Sequence, residues 1–267
     1  TGNNNTAIGS DALVASTTAS QNTAVGKNAL VSLTTGTLNV AVGMNSGDAI
    51  TTSNSNVTIG YNAGGSITTG SNNICVGQDS GVYTTALTTG GQNTCIGHAA
   101  YTTTAGSTEA NVIGYAVGGA AGYTTLGETT NEIRTAHGST SWATVSDERY
   151  KKDIVDSTVG LSFVNALQPR TFKYKNKGEL PDTFRAYEAD STEVYKNSNT
   201  NHGFIAQEVK TAIDADSSIK DGFRLWDDRE DGSQEVAEAA LIPVLVKAIQ
   251  ELSAKNEALL ARIITLE

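Results

Sequence analysis

The stretch that decides the fold of the N-terminal half is Asn22-Thr23-Ala24-Val25-Gly26-Lys27-Asn28-Ala29. Related units recur along the chain, each with Asn, two variable residues, Ile or Val, then Gly, one variable residue and usually Asn or Asp. The glycines lie 17 residues apart, except for one step of 20. An internal repeat of this length indicates stacked coils of chain. The repeated glycines are Gly9, Gly26, Gly43, Gly60, Gly77, Gly97 and Gly114.

The residue before each of these glycines is always Ile or Val. If successive coils stack, these residues form one apolar column, as in a β-roll or β-helix. Glycine suits the tight turn that follows, because it adopts positive φ and permits close backbone approach. The pattern therefore predicts a mainly β N-terminal repeat. The column consists of Ile8, Val25, Val42, Ile59, Val76, Ile96 and Ile113.

A column one side chain wide buries little apolar surface, whereas fixing each residue of a coil costs roughly 1 to 2 kcal/mol of backbone entropy. We therefore expect that one chain cannot hold this fold alone and that three chains wind together. The repeat also resembles the head repeats of trimeric autotransporter adhesins and the shafts of phage fibres, over residues 1–120. That resemblance implies a trimeric fibre.

Charge is distributed very unevenly along the 267 residues, whose net charge is -10. Only Lys27 and Arg134 are basic before residue 146, so sixteen of the eighteen Lys and Arg residues lie in the remainder. The contrast indicates two kinds of domain joined near residue 145. The acidic balance argues against nonspecific nucleic-acid binding, which needs surplus Lys and Arg. No apolar run approaches about eighteen residues, so we expect no membrane insertion.

Ser146-Asp147-Glu148-Arg149-Tyr150-Lys151 stands at this junction. A serine becomes an effective nucleophile when a nearby base removes its proton, and a lysine can be that base only if its pKa is lowered. Arg149 and Lys152 flank Lys151, and like charges or burial between chains disfavour the protonated form. Ser146 and Lys151 are therefore candidate catalytic residues, although a solvated turn is the alternative for such a spacing.

Several further segments resemble, in order, the C-terminal intramolecular chaperone domain of phage endosialidases and tail fibres, over about residues 142–267. The resemblance implies that Ser146 and Lys151 form an autoproteolytic dyad. We expect cleavage of the Val145–Ser146 bond, because Ser146 Oγ reaches the preceding carbonyl through a five-membered ring. Asp147 either positions Lys151 or an adjoining group, or it caps structure on the Asp153 side. The segments are Ser146–Arg149, Lys151–Ile154, Leu167–Pro169, Phe172–Tyr174, His202–Val209 and Leu241–Leu252.

The C-terminal segment carries apolar residues in alternating steps of three and four, a heptad seam with Asn256 at one polar position. Pro243 is tolerated only in the first turn of a helix, so the helix should begin there. In simple parallel coils Ile and Leu at the two core positions favour two strands, whereas both resemblances imply three. We predict a trimeric coiled coil. The seam residues are Leu245, Ile249, Leu252, Leu259, Ile263 and Leu266.

These observations predict a Gly/Asn repeat fibre over 1–120, a connector over 121–145, a small α+β chaperone domain over 146–241 and a coiled coil over 242–267. Within the α+β domain, Leu161–Leu167 and Ile205–Ile213 are predicted helices and Arg170–Tyr174 a predicted strand. The polar segment 176–201 is predicted to be rich in loops and able to wrap a neighbouring chain.

Other chemistry-bearing residues favour structural roles. Cys75 and Cys95 occupy equivalent places in neighbouring units, where two small buried residues are favoured over a disulfide. His98, His137 and His202 share no metal-binding spacing, so no metal and no cofactor is predicted. Four residues occupy EF-hand positions, but a cation at the third position, Arg229, favours an acidic solvated turn. Those four are Asp227, Asp231, Gly232 and Glu238.

The sequence thus predicts the C-terminal part of a phage-type tail fibre or spike in the virion. Its C-terminal domain would trimerise, template folding of its own N-terminal fibre and leave by self-cleavage; a host-surface receptor is a possible partner. One alternative is a non-cleaving adhesive fibre whose C-terminal domain stays attached as a foot or host-binding tip. A glycan-degrading spike ranks last, because it needs paired carboxylates in a groove. The repeat region has only six scattered acidic residues: Asp11, Asp48, Asp79, Glu109, Glu128 and Glu132.

Overall fold

A computed structural model describes residues 2–217, 219 and 223–266. The chain divides into two compact units, Thr1–Lys152 and Asp153–Glu267. The first unit is built of short strands and the second mixes short helices and strands with one long helix. Within the described residues, no helix combines the length and the apolar character needed to cross a membrane.

The first unit is a β-solenoid of about seven turns. Its strands pair in parallel and in register with the strand one repeat later, so that Ala24, for example, lies opposite Ala41. The last pair, β10 with β11, is antiparallel and ends the sheet. The strands are β1 Thr6–Ile8, β2 Thr23–Val25, β3 Val40–Val42, β4 Val57–Ile59, β5 Ile74–Val76, β6 Thr94–Ile96, β7 Tyr101–Thr102, β8 Asn111–Tyr115, β9 Gly118–Gly119, β10 Tyr123–Glu128 and β11 Asn131–Ala136.

The interior of the solenoid belongs to a single chain and differs from the predicted one. Successive strand residues face opposite sides, and the residue before the repeated Ile or Val points inward, as Ala24 and Ala41 do. Leucine and isoleucine from the turn-rich side of each coil pack against them. The expectation that one chain has no core of its own was therefore wrong, because it counted only one column. The fully buried apolar residues from the turns include Leu30, Leu33, Ile50, Ile67 and Leu87.

The repeated Ile and Val residues instead lie on the outer face of the sheet. Ile8 is 59% exposed and Val42 36% exposed in the single chain. The predicted column therefore exists, since its members are register partners. It forms a continuous apolar stripe on the surface, available for association.

A ladder of asparagines, buried beyond its first member, runs through the solenoid. The Oδ1 atom of Asn39 accepts hydrogen bonds from the backbone N and the Nδ2 of Asn56, at 3.0 and 3.2 Å. Asn56 Nδ2 also donates to the carbonyl of Gly70 in the next coil, at 3.0 Å. Each side chain thus satisfies backbone groups that would otherwise be buried without a partner. The ladder consists of Asn5, Asn22, Asn39, Asn56, Asn73 and Asn93.

Close stacking explains the glycine in each unit. Gly43 has φ of 135°, and a Cβ atom built there would lie 2.4 Å from the carbonyl oxygen of Gly60. A side chain at that point would therefore separate two coils. The same conflict recurs between successive repeated glycines, which holds the coils at sheet spacing.

The single 20-residue unit keeps this register by enlarging one turn. In two regular coils, Ile50 N donates to Gly47 O and Ile67 N to Gly64 O, three residues back. In the long coil, Leu87 N donates to Gly81 O, six residues back. The three additional residues are therefore accommodated between positions 81 and 87. Strand pairing is unchanged, and Cys75 lies opposite Cys95.

Cys75 and Cys95 are free, buried thiols inside the solenoid. A hydrogen bond with Cys95, together with burial, raises the pKa of the Cys75 thiol well above its usual value. Thiols in this state react slowly, because the thiolate is the reactive form.

The second unit has a small core of its own, in which Phe163, Val209, Leu225 and Val244 are buried. The predicted helices and strand are present, with slightly different ends. Short 3-10 helices cover Lys177–Glu179 and Glu238–Ala240. The remaining elements are α1 Leu161–Ala166, β12 Arg170–Phe172, β13 Asn201–Gly203, α2 Ala206–Asp214, β14 Trp226–Asp228, β15 Gln234–Val236 and α3 Leu241–Ile264.

Candidate functional site

The candidate site is a tight turn at the end of the first unit. A 3-10 helix, Glu148–Tyr150, follows Asp147, whose Oδ1 atom accepts a hydrogen bond from Arg149 N at 2.8 Å. Lys151 N donates to the carbonyl of Glu148 at 2.8 Å and closes the turn. The backbone is extended at Asp147 and at Lys151, so the chain enters and leaves this turn as extended segments.

The turn brings the two candidate catalytic residues together. Lys151 Nζ donates to Ser146 Oγ at 2.8 Å, a distance suited to proton transfer between the two atoms. Neither atom has another hydrogen-bond partner within the described part of the chain. The five-residue spacing thus corresponds to direct contact.

Asp147 caps this turn, rather than structure on the Asp153 side. Its two carboxylate oxygens accept from Arg149 Nε at 2.9 Å and Arg149 Nη2 at 2.7 Å. These bonds, with the one from Arg149 N, lower the pKa of the Asp147 carboxyl, and the charge of Lys151 adds to the effect. Arg149, one of the two cations expected to act on Lys151, is therefore paired with a carboxylate.

The turn is open to solvent in the single chain. Val145, which supplies the carbonyl of the candidate scissile bond, is 55% exposed, and Tyr150 is 79% exposed. Trp142, Ile154 and Val155 on either side are also exposed apolar residues. Exposed apolar residues thus flank the turn along the chain, and exposed apolar surface is often where another chain binds.

The motifs downstream of the turn hold the second unit together. Arg170 forms a bidentate ion pair with Glu208, with Nε and Nη2 at 2.9 and 2.7 Å from the carboxylate oxygens. This pair joins β12 to α2, and it lowers the pKa of the Glu208 carboxyl. Glu251 of α3 accepts from Leu161 N at 2.9 Å and so caps α1. These residues hold elements of the second unit in place.

Helix α3 presents two different faces. Leu241, Val244 and Ala248 are buried against the rest of the second unit. The predicted seam lies elsewhere on the helix and is exposed, with Ile249 66% and Ile263 55% exposed. The seam therefore has no partner in the single chain, and the helix begins at Leu241, two residues before Pro243.

The remaining candidates are structural in this arrangement. The EF-hand-like segment is a hairpin of β14 and β15, in which Asp231 Oδ1 accepts from Ser233 N and Arg229 pairs with Glu235. His98 stacks on Tyr115 with ring centroids 5.2 Å apart. Within the described residues, no three His, Cys, Asp or Glu side chains group closely enough to hold a metal ion.

Sequence reasoning left the partner of Asp147 open and missed the asparagine ladder. The pairing of Asp147 with Arg149 could have been anticipated from their i, i+2 spacing at a capped turn. The asparagine ladder was signalled by the Asn that opens each unit, which was considered only as part of the repeat.

Comparison with known families supports the C-terminal assignment. Residues 146–216 match the model of a peptidase family described as chaperone of endosialidase. The matched region begins at Ser146 and contains Lys151, Arg170 and Glu208. No curated protein and no solved structure matches the chain.

The peptidase family implies a self-cleaving serine peptidase, and its description implies a chaperone role in a phage tail fibre. Residues 146–216 of this chain therefore match the intramolecular chaperone domain of the chaperone-of-endosialidase family.

Proposed function

We propose that this chain is the C-terminal part of a phage-type tail fibre or spike that cuts itself between Val145 and Ser146. The C-terminal domain trimerises, templates assembly of the solenoid and is then released, while the fibre remains in the virion. The observation that carries the proposal is the 2.8 Å contact between Lys151 Nζ and Ser146 Oγ, at the first residue of the family match.

The proposed chemistry uses only this turn and water. Neutral Lys151 accepts the proton of Ser146 Oγ, which attacks the carbonyl carbon of Val145. The C–N bond breaks as the nitrogen of Ser146 takes up a proton, leaving an ester between the Val145 carbonyl and Ser146 Oγ. Water hydrolyses that ester to a carboxylate on Val145 and the free hydroxyl of Ser146. Each chain reacts once.

Trimerisation is proposed to activate the turn. Lysine acts as a base only when its environment disfavours the ammonium form, and burial against another chain has that effect. The exposed apolar residues beside the turn and the exposed seam of α3 support an arrangement in which neighbouring chains cover both. Cleavage then follows assembly and separates the products, which makes the mature fibre kinetically stable.

The template aligns chains rather than supplying their interior. Each solenoid has its own buried core, so the surface left for association is the stripe of Ile and Val on the sheet. Three chains held at their C-terminal ends have a high effective concentration, which favours pairing of these stripes in one register. The stripe and the seam together support a homotrimer.

Intact mass of freshly expressed protein tests the cleavage. We expect fragments 1–145 and 146–267 from the wild-type chain, and only uncut chain from Ser146→Ala and Lys151→Ala. Ser141→Ala and Lys175→Ala are matched controls, because both residues are exposed and neither belongs to the turn, and they should cleave normally. Fragments from Ser146→Ala would reject the dyad. Uncut wild-type trimer would favour the adhesive fibre that keeps its C-terminal domain.

A further inference from the structure

Asp147 directly follows Ser146 in the chain, and it lies within the electrostatic reach of Lys151. Both of its oxygens are nevertheless occupied by Arg149, through Nε, Nη2 and the backbone N. Lys151 Nζ is hydrogen-bonded to Ser146 Oγ instead. The turn therefore pairs Arg149 with Asp147 and Lys151 with Ser146, while the second carboxylate of the turn, Glu148, is exposed.

This choice of partner matters because a carboxylate attracts an ammonium more strongly than a hydroxyl does. If Asp147 were free, Lys151 could pair with it, which would draw Nζ from Ser146 and favour the protonated amine. The planar guanidinium engages both carboxylate oxygens at once, which a lysine ammonium cannot do in the same way.

We propose that Arg149 is a positioning residue for self-cleavage, which occupies Asp147 and so leaves Lys151 to Ser146. The inference rests on the proposed function of the Ser146 and Lys151 pair. Arg149 acts through Asp147 and does not contact the reacting atoms. Asp147 has two linked effects, since it caps the turn and would compete for Lys151 without Arg149.

The other charged groups around the turn are placed differently. Glu148, Lys152 and Asp153 are exposed neighbours in the chain. Arg134, on β11, pairs through its backbone with Ala143. The Arg134 guanidinium lies over the ring of Tyr123, 5.0 Å from its centroid. Asp147 is thus the carboxylate whose partner decides whether Lys151 remains on Ser146.

The test compares Arg149→Ala with the double variant Arg149→Ala, Asp147→Asn in the full chain. Cleavage rate constants are measured by intact mass over a pH series, and native mass verifies assembly. We expect Arg149→Ala to be slower by about tenfold near neutral pH and its rate–pH profile to move to higher pH by about one unit. The double variant should recover the wild-type profile, because it lacks the competing carboxylate. Glu148→Gln, in the same turn, should behave as wild type.

If Arg149→Ala does not assemble, Arg149→Lys is measured in its place. A lysine there neutralises Asp147 through fewer bonds, so a smaller shift in the same direction is expected. A wild-type profile in the Arg149 variant that assembles, or a profile that the double variant does not recover, overturns the inference. If Ser146→Ala abolishes cleavage in the same series, the proposed function survives that failure. Cleavage in Ser146→Ala rejects the proposed function itself.

Discussion

The solenoid and the C-terminal unit differ in how each disposes of its apolar surface. The coils of the solenoid close around buried residues of the same chain, mainly Ala, Leu and Ile, and the backbone is paired from coil to coil. The second unit buries one face of α3 and leaves the seam of that helix in solvent. The C-terminal unit, which is proposed to be discarded, is therefore the part of the chain that most needs partner chains to cover its apolar surface.

The largest effect is expected from substitutions in the seam of α3. Leu259→Asp with Ile263→Asp places two carboxylates in the seam beyond the part of α3 that packs on its own domain. We expect native mass to change from trimer to monomer and cleavage to fall by about 100-fold, because the effective concentration of chains is lost.

The control for the seam is the pair Ala261→Asp with Ile264→Asp, on the same turns of the helix but off the seam. These changes add the same charge and should leave the trimer intact. A seam variant that remains trimeric would place the association surface in the solenoid instead.

Two isoleucines allow the buried interior of a coil to be compared with the apolar stripe on its outer face. Ile67 is fully buried and Ile59 is 39% exposed in the single chain. Ile67→Ala should lower the free energy of unfolding by about 2 to 5 kcal/mol, because it leaves a cavity. Ile59→Ala should cost less than about 1 kcal/mol in a monomer.

Denaturant unfolding of both variants, in the seam-disrupted and the intact background, measures this difference. In the trimer, the cost of Ile59→Ala should approach that of Ile67→Ala if the outer stripe is covered. An equally small cost in both backgrounds would mean that the stripe stays in water.

The asparagine ladder gives a smaller effect inside the solenoid. Asn56→Ala removes the acceptor of Asn73 N and the donor to Gly70 O, so two buried backbone groups lose their partners. We expect a loss of about 1 to 3 kcal/mol in unfolding free energy. Asn5→Ala, in the exposed first coil, is the matched control and should cost less. Equal losses in thermal or denaturant unfolding would show that burial of the ladder contributes little.

The repeat could be predicted from the sequence because its period appears directly as Gly spacing. The direction of each side chain could not, because Thr23-Ala24-Val25 is apolar on both faces and the larger Val suggested the interior. Leu33 and Ile67 lie in turn-rich stretches without strand alternation, so their inward positions depend on how the coil closes.

The site shows the same division. The spacing of Ser146 and Lys151 was informative, since one capped turn brings them into contact. The partner of Asp147 could not be predicted from the spacing, because it depends on which of two cations reaches the carboxylate. Helix α3 was predicted within two residues at its start, since Pro243 and the heptads are strong local signals. What covers its seam depends on other chains.

The asparagine ladder also constrains how such a fibre can change in length. A partial coil would interrupt the chain of side-chain amides and leave buried carbonyl groups unpaired. Whole coils can be added or removed without that loss, and each changes the length by about 4.8 Å. The long unit between Gly77 and Gly97 illustrates the exception, because its three additional residues enlarge a turn and leave the axial spacing unaltered. Gain or loss of whole coils therefore changes the length of the solenoid in discrete steps, whereas additional residues within a coil enlarge a turn.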